Sequence, residues 1–208
     1  ARYNCPLLSQ YGLFKNPADP TQAASGTGVP YDLNTILFSD YAEKFRFLYL
    51  PPDANGAVQK ATYEDHATCD TITIYNCYTA TLGFPTGTVF AKTFGFTNGA
   101  VYKPVETRLL IKRVDATGKI NWVGLPYEWQ TDANGNLTDA VLKLEGDTKS
   151  VTYDYDDPDP EAKDATGARL HYKGSVAAYG IPNASACLQC HGGDDREHPA
   201  APFARGID

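Results

Sequence analysis

Short segments in which apolar and polar residues alternate recur through most of this chain. The clearest is residues 45–50 (FRFLYL), which stops at two prolines. Such runs of aromatic and branched residues, bounded by turn residues, are typical of strands. Fourteen tyrosines and an aromatic content of 12% point the same way. The pattern predicts further strands over residues 88–94, 106–114, 120–124, 140–144 and 150–155.

Glycine-containing pairs separate several of these runs and predict tight reversals between antiparallel strands. They are Asn55-Gly56, Asn98-Gly99, Thr117-Gly118 and Asn134-Gly135. The expected fold is mainly β, an antiparallel sheet or sandwich with few short helices. Four prolines and a glycine-serine stretch mark residues 1–30 as an extended N-terminal arm, followed by a single β-rich domain over 31–208.

Two short helices are expected. One covers residues 39–44 (SDYAEK), where Ser39 or Asp40 serves as the N-cap. The other begins after Asn183, a good N-cap residue, and carries the segment CLQCH near the C-terminus. On one helical turn Cys187, Cys190 and His191 are neighbours, which places them against a common ligand.

The segment CLQCH has the spacing of a covalent attachment site for a c-type haem. Cys187 and Cys190 add to the two porphyrin vinyl groups, and His191 ligates the iron. A thioredoxin-like redox pair needs a βαβ setting, and a zinc site usually needs a second pair of ligands. The sequence predicts neither, so one covalent haem c is the preferred interpretation.

Composition limits the partners and the compartment. A hydrophobic fraction of 42% and a charged fraction of 21% describe a globular protein, and the net charge of −7 argues against nucleic acid. No apolar run approaches the roughly 18 residues of a transmembrane helix. The chain begins at Ala1 and lacks methionine, which predicts a mature, secreted chain in the periplasm or outside the cell. Without methionine, His/Met ligation of the iron is excluded.

Three further cysteines leave several pairings open. Cys69 and Cys77 are the preferred disulfide because they are close in sequence and the compartment is oxidising. Cys5 is then left over, either buried or joined to one of the others or to a neighbouring chain. A homo-oligomer therefore remains open.

Several segments together resemble a largely uncharacterised family of secreted bacterial monohaem c-type cytochrome domains. They are PYDLNTILFSDYAEKFRFLYLP, FPTGTVFAKTFGF, ETRLLIKR, WVGLPYEW, QTDA and IPNASACLQCHGG. The strand FPTGTVFAK, upstream of a C-terminal CxxCH, is also distantly similar to the β-sheet cytochromes that include lysine-crosslinked hydroxylamine-oxidising cytochromes and β-type cytochromes c-prime. That likeness implies a sheet packed over one haem with Lys92 near the haem edge.

The sixth iron ligand decides the function, and the histidines supply the candidates. His171 precedes the haem helix, His66 lies beside Cys69, and His198 follows the helix in a charged loop. Lys92 alternates with Phe90 and Phe94, so it either contacts a haem propionate, crosslinks the porphyrin or extends past the rings as a rim lysine. Further propionate partners are Arg46, Arg108, Arg113 and Arg205, and the rings that either line the haem or form the core are Trp122, Tyr127 and Trp129.

Two functions follow from these residues. The preferred hypothesis is a secreted cytochrome that passes electrons to redox partner proteins, with His191 and a second histidine on the iron. The alternative is a five-coordinate haem enzyme or gas-binding protein acting on hydroxylamine or nitric oxide. A haem-bearing subunit of an extracellular assembly is a third class. Nothing in the sequence marks a catalytic acid or base, which favours electron transfer over catalysis.

Overall fold

One large β-sheet dominates the computed structural model of the chain, which describes residues 4–24, 28–34, 37–64 and 81–191. The candidate residues His66, Cys69, Cys77, His198 and Arg205 lie outside these ranges. The elements, in chain order, are a 3-10 turn at Leu8–Tyr11, strands β1 (Phe14–Asn16), β2 (Asp19–Ala23), β3 (Gly28–Pro30), β4 (Glu43–Tyr49), β5 (Thr62–Glu64), β6 (Thr81–Gly83), β7 (Val89–Asn98), β8 (Val101–Val114), β9 (Ile120–Thr131), β10 (Leu137–Leu142), β11 (Asp147–Asp156) and β12 (His171–Ile181), and helix α1 (Ala184–His191). The prediction of a mainly β fold is confirmed.

The large sheet has eight strands and is almost entirely antiparallel. Its main path runs β10-β9-β8-β7-β11-β12, and β4 joins the first part of β7 with β3 at its outer side. The exception is the parallel contact between β11 and the end of β7 at Asn98. Two separate two-stranded antiparallel sheets, β1-β2 and β5-β6, complete the described strands. Consecutive strands therefore mostly pair with each other, as short connections favour.

Four turns share the sequence Asp-Ala-Asn/Thr-Gly, starting at Asp53, Asp115, Asp132 and Asp164. In each, the aspartate carboxylate accepts backbone N–H groups two and four residues later, at 2.8–3.1 Å. The glycine adopts a positive φ of 82–87°, which costs other residues energy. The turns predicted at Asn55-Gly56, Thr117-Gly118 and Asn134-Gly135 are among these four.

The main hydrophobic core lies on one side of the sheet and is covered by the N-terminal segment. Leu8, Leu13 and Phe14 are buried against sheet residues, and Leu8 is only 1% exposed. The sheet contributes Phe47, Tyr49, Ala91, Leu109, Ile111, Leu125, Tyr127, Trp129 and Ala140. The N-terminal segment thus contributes part of the core.

The helix predicted over residues 39–44 is wrong. Asp40 and Tyr41 have φ values of 51° and 66°, which a right-handed helix cannot contain. A turn there leads into β4, whose first residue Glu43 already pairs with Gly95 of β7. Pairing with β7 therefore determines the backbone of this segment, and its local helical preference does not.

Helix α1 follows Asn183. The Asn183 side chain accepts the backbone N–H of Ala186 at 2.7 Å, which caps the first turn of α1. Within the described part of the chain, no helix is long and apolar enough to cross a membrane.

Candidate haem-binding face

The two sides of the large sheet carry different chemistry. Side chains alternate between sides along a strand, and residues directly opposite on paired antiparallel strands share a side. We call one side the core side; it carries the aligned residues Phe47, Ala91, Leu109 and Leu125. The other, the helix side, carries Leu48, Phe90, Leu110 and Gly124 in one rung and Arg46, Lys92 and Arg108 in the next.

Helix α1 packs directly on the helix side at Gly124. A Cβ atom added to Gly124 would lie 2.3 Å from the Cys187 Cβ atom and 3.2 Å from its Sγ atom. Cys187 is 9% exposed, so the first cysteine of the CLQCH motif is held against β9. The absence of a side chain at Gly124 is what admits the helix at this distance.

Three cations lie side by side on the helix side, on adjacent strands. Lys92 of β7 is directly opposite Arg46 of β4 on one side and Arg108 of β8 on the other. We call these three residues the cationic rung. It lies one rung, about 7 Å, from the rung that contains Gly124. Lys44 extends the positive charge into the following rung, beside Phe94.

Two carboxylates contact the ends of the cationic rung. Glu106, which is fully buried, accepts hydrogen bonds from Arg108 Nε at 2.9 Å and Nη2 at 2.5 Å, and from Tyr179 Oη at 2.7 Å. Asp32 accepts one from Arg46 Nη1 at 2.7 Å, but its side chain is 75% exposed. The Arg46 Nε atom is buried and has no hydrogen-bond acceptor among the described residues.

Lys92, at the centre of the rung, lies in a strongly unfavourable position for a charge. Burial, together with the nearby charges of Arg46, Lys44 and Arg108, lowers the pKa of Lys92 to about 8, while Glu106 opposes this shift. Its Nζ atom lies 4.8 Å from the centre of the Phe94 ring. The Arg108 guanidinium lies 4.1 Å from the centre of the same ring, so a cation–π contact partly stabilises both groups.

Aromatic rings flank the cationic rung. Phe84, Phe90 and Trp122 form an apolar cluster with Leu110, and their ring centroids lie 5.1–6.2 Å apart. On the other flank Phe94 and Phe96 pack with Tyr179 and Ile181. The helix side thus combines aromatic surfaces, a row of cations and the motif-bearing helix.

The remaining sequence candidates are divided between the two sides. Trp122 is on the helix side, whereas Tyr127 and Trp129 belong to the core. Their polar atoms are used there: Tyr127 Oη donates to the Cys5 carbonyl at 2.7 Å, and Trp129 Nε1 donates to Thr107 Oγ1 at 2.9 Å. Arg113 donates to Asn4 Oδ1 at 2.9 Å, away from the cationic rung.

His171 lies at the end of the β11-β12 hairpin remote from α1. It is the first residue of β12, ten residues before Ile181, which is roughly 33 Å along an extended strand. Its Nδ1 atom lies 2.8 Å from Asp156 Oδ1 and its Nε2 atom 3.0 Å from Asp154 Oδ1. The structure therefore does not bring His171 to the motif-bearing helix, and both ring nitrogens are engaged by carboxylates.

Glu106 and Tyr179 were not identified from the sequence, although the structure places both beside the cationic rung. The available signal for Glu106 is its position in the run ETRLLI, where an acidic residue enters a strand that becomes fully buried. No sequence signal identifies Tyr179, because β12 has no clear apolar alternation and was not predicted as a strand.

Comparisons with protein-family models, with curated proteins and with solved structures gave no match to this chain.

Proposed function

We propose that this chain is a secreted monohaem c-type cytochrome whose haem lies against the helix side of the sheet. Cys187 and Cys190 would hold the haem through thioether bonds, and His191 would be the axial ligand beneath the iron. The observation that carries the proposal is the packing of Cys187 on Gly124, which places the start of the motif beside the aromatic and cationic surface.

The side chains on this surface suit a porphyrin. Phe90 and Trp122 offer apolar ring surface for a flat macrocycle, and the cations of the rung can pair with its two carboxylates. Bound haem supplies reversible one-electron chemistry. The sheet would keep water from one side of the group, and the rung would offset its negative charge.

Electron transfer to partner proteins is the proposed role, with a second histidine as the opposite ligand. We propose His66 as this ligand, because the ring of His171 contacts two carboxylates at the remote end of the β11-β12 hairpin. Such an iron has no open coordination position, so it would exchange electrons without binding a substrate.

A five-coordinate haem that binds small ligands is the second candidate, favoured by the make-up of the helix side. The surface facing the proposed haem is built from phenylalanine, tryptophan and leucine side chains together with the cationic rung. A surface of this kind would shelter a small neutral ligand such as nitric oxide or hydroxylamine on the iron.

An absorption spectrum of the reduced protein, with and without carbon monoxide, separates the two roles. A low-spin spectrum that carbon monoxide leaves unchanged supports electron transfer, and a high-spin spectrum that shifts supports ligand binding. Replacing His66 by alanine should convert a low-spin spectrum to high-spin, whereas the same change at His171 should leave it as it was. A purified, correctly exported protein without covalent haem would refute both roles.

A further inference from the structure

The cationic rung carries more positive charge than the neighbouring carboxylates neutralise. Arg46, Lys92 and Arg108 lie directly opposite one another, at Cβ separations of about 5 Å, where like charges repel. Lys44 adds a fourth cation in the adjacent rung. Within residues 4–24, 28–34, 37–64 and 81–191, the carboxylates that form ion pairs with these four cations are Asp32 and Glu106, two negative charges against four positive ones.

The hydrogen-bond partners differ along the cationic rung. Glu106 is fully engaged by Arg108 and Tyr179, and Asp32 contacts only the Nη1 atom of Arg46. The buried Arg46 Nε atom has no acceptor among the described residues, and Lys92 Nζ faces an aromatic ring. The unsatisfied Arg46 Nε donor and the buried Lys92 ammonium therefore belong to directly opposite residues on adjacent strands.

An anion between these two residues would reduce the repulsion among the cations and would give the buried donor an acceptor. A charge-assisted hydrogen bond from Arg46 Nε would satisfy a buried donor, and a negative charge next to Lys92 would favour its protonated form. The side chain of Arg108 is 32% exposed, so the rung opens to solvent at that end. An anion has a route of entry there.

We infer that the cationic rung is an anion-binding site that takes a carboxylate or a small oxyanion on Arg46 and Lys92. Two sources have this chemistry. One is a carboxylate of the bound porphyrin, and this source rests on the proposed function. The other is a free carboxylate or oxyanion from solution, which requires no haem.

The test uses sodium acetate and inorganic phosphate as probes. Binding of each probe is measured as the rise that it causes in the thermal unfolding temperature of the full chain. The haem-containing protein is compared with a haem-free variant, Cys187→Ser with Cys190→Ser. Each is combined with Lys92→Gln, or with Lys103→Gln as a control on an exposed lysine of β8. Comparing variants at equal probe concentration removes the effect of ionic strength.

We expect acetate or phosphate to bind the haem-free variant, and Lys92→Gln to weaken that binding about tenfold or more. Lys103→Gln should leave it unchanged. Loss of the probe's effect in the haem-containing protein assigns the site to a porphyrin carboxylate, whereas its persistence there assigns the site to a free anion. Both outcomes support the site.

The site is overturned if neither probe stabilises either form in a Lys92-dependent manner. Should the haem-free variant fail to fold, the haem-containing protein and its Lys92→Gln variant are sufficient. Acetate binding that depends on Lys92, or a Lys92-dependent shift of the propionate band in the resonance Raman spectrum, then supports the site, and the absence of both refutes it. If the chain carries no haem, the proposed function fails while the same probes still test the site on the native sequence.

Discussion

At the scale of single residues, Gly124 controls how closely α1 approaches the sheet. Replacing it by alanine puts a Cβ atom 2.3 Å from the Cys187 Cβ atom, so the helix must move. We expect Gly124→Ala to destabilise the protein by about 1–3 kcal/mol and, on the proposed function, to reduce covalent haem attachment. Urea unfolding and a haem-stained denaturing gel measure the two effects.

Gly180 in β12 provides the matched control, since a Cβ atom there meets nothing within 4 Å. Gly180→Ala should change stability by less than about 0.5 kcal/mol and leave haem attachment intact. Equal losses at the two positions would show that the contact at Gly124 has no special role.

Lys92 should give the haem-free chain a distinctive pH dependence when no anion occupies the cationic rung. Its pKa falls from 10.5 to about 8 on folding, so between these values the unfolded chain binds a proton that the folded chain has lost. Stability therefore rises with pH over this range, by at most about 3 kcal/mol.

Lys92→Met removes this contribution, and it should raise stability most at pH 7, where the charged lysine is buried at full cost. The measurement is the difference in free energy of unfolding between the two chains at pH 7 and at pH 10. Subtracting the two curves cancels the buried tyrosines, which titrate in both proteins. A difference that does not change with pH would mean that Lys92 keeps its ordinary pKa.

At the scale of elements, the N-terminal 3-10 turn acts as part of the core. Leu8 is 1% exposed while the adjacent Leu7 is 38% exposed, which gives two leucines in one segment with opposite burial. Leu8→Ala should cost about 2–5 kcal/mol in urea unfolding, and Leu7→Ala less than about 1 kcal/mol. Similar small costs at both positions would indicate an arm that lies on the surface.

The strands most easily predicted from sequence were β-prone runs of aromatic and branched residues, which the structure buries in the sheet. β4, β7, β8 and β9 fit this description, and the structure extends β7, β8 and β9 beyond their predicted ends. β12 could not be predicted because its residues alternate between half-buried and exposed without an apolar pattern. Its pairing with β11 over nine registered positions holds it in place instead.

The candidate site was predictable in its motif and less so in its surroundings. CLQCH is local in sequence, as are Lys92 and its flanking phenylalanines. The side of the sheet that each residue faces depends on strand register, and a shift of one residue would exchange the two sides. For this reason the sequence analysis grouped Trp122 with Tyr127 and Trp129. The strand register places Trp122 on the helix side and the other two residues on the core side.

At the scale of the whole molecule, the two sides of the sheet differ in the groups they carry. The core side is closed by Leu8, Leu13 and Phe14, and needs nothing from α1. The helix side carries the cationic rung, the buried Glu106 and the motif-bearing helix. The apolar clusters on both sides supply the hydrophobic stabilisation that offsets the cost of burying charged groups on the helix side.

The haem-free chain, Cys187→Ser with Cys190→Ser, should therefore keep the sheet. Because the core side is intact, we expect a native-like far-ultraviolet circular dichroism spectrum and a cooperative unfolding transition at a lower temperature than the haem-containing protein. Near-ultraviolet dichroism should change chiefly for Trp122, which lies on the helix side, and a Trp122→Phe variant identifies that part of the signal. Adding Leu8→Ala should abolish cooperative unfolding of the haem-free chain but not of the haem-containing one, since on the proposed function the bound haem is a second source of stability. A haem-free chain that is unfolded even with Leu8 in place would mean that the core side cannot hold the sheet alone.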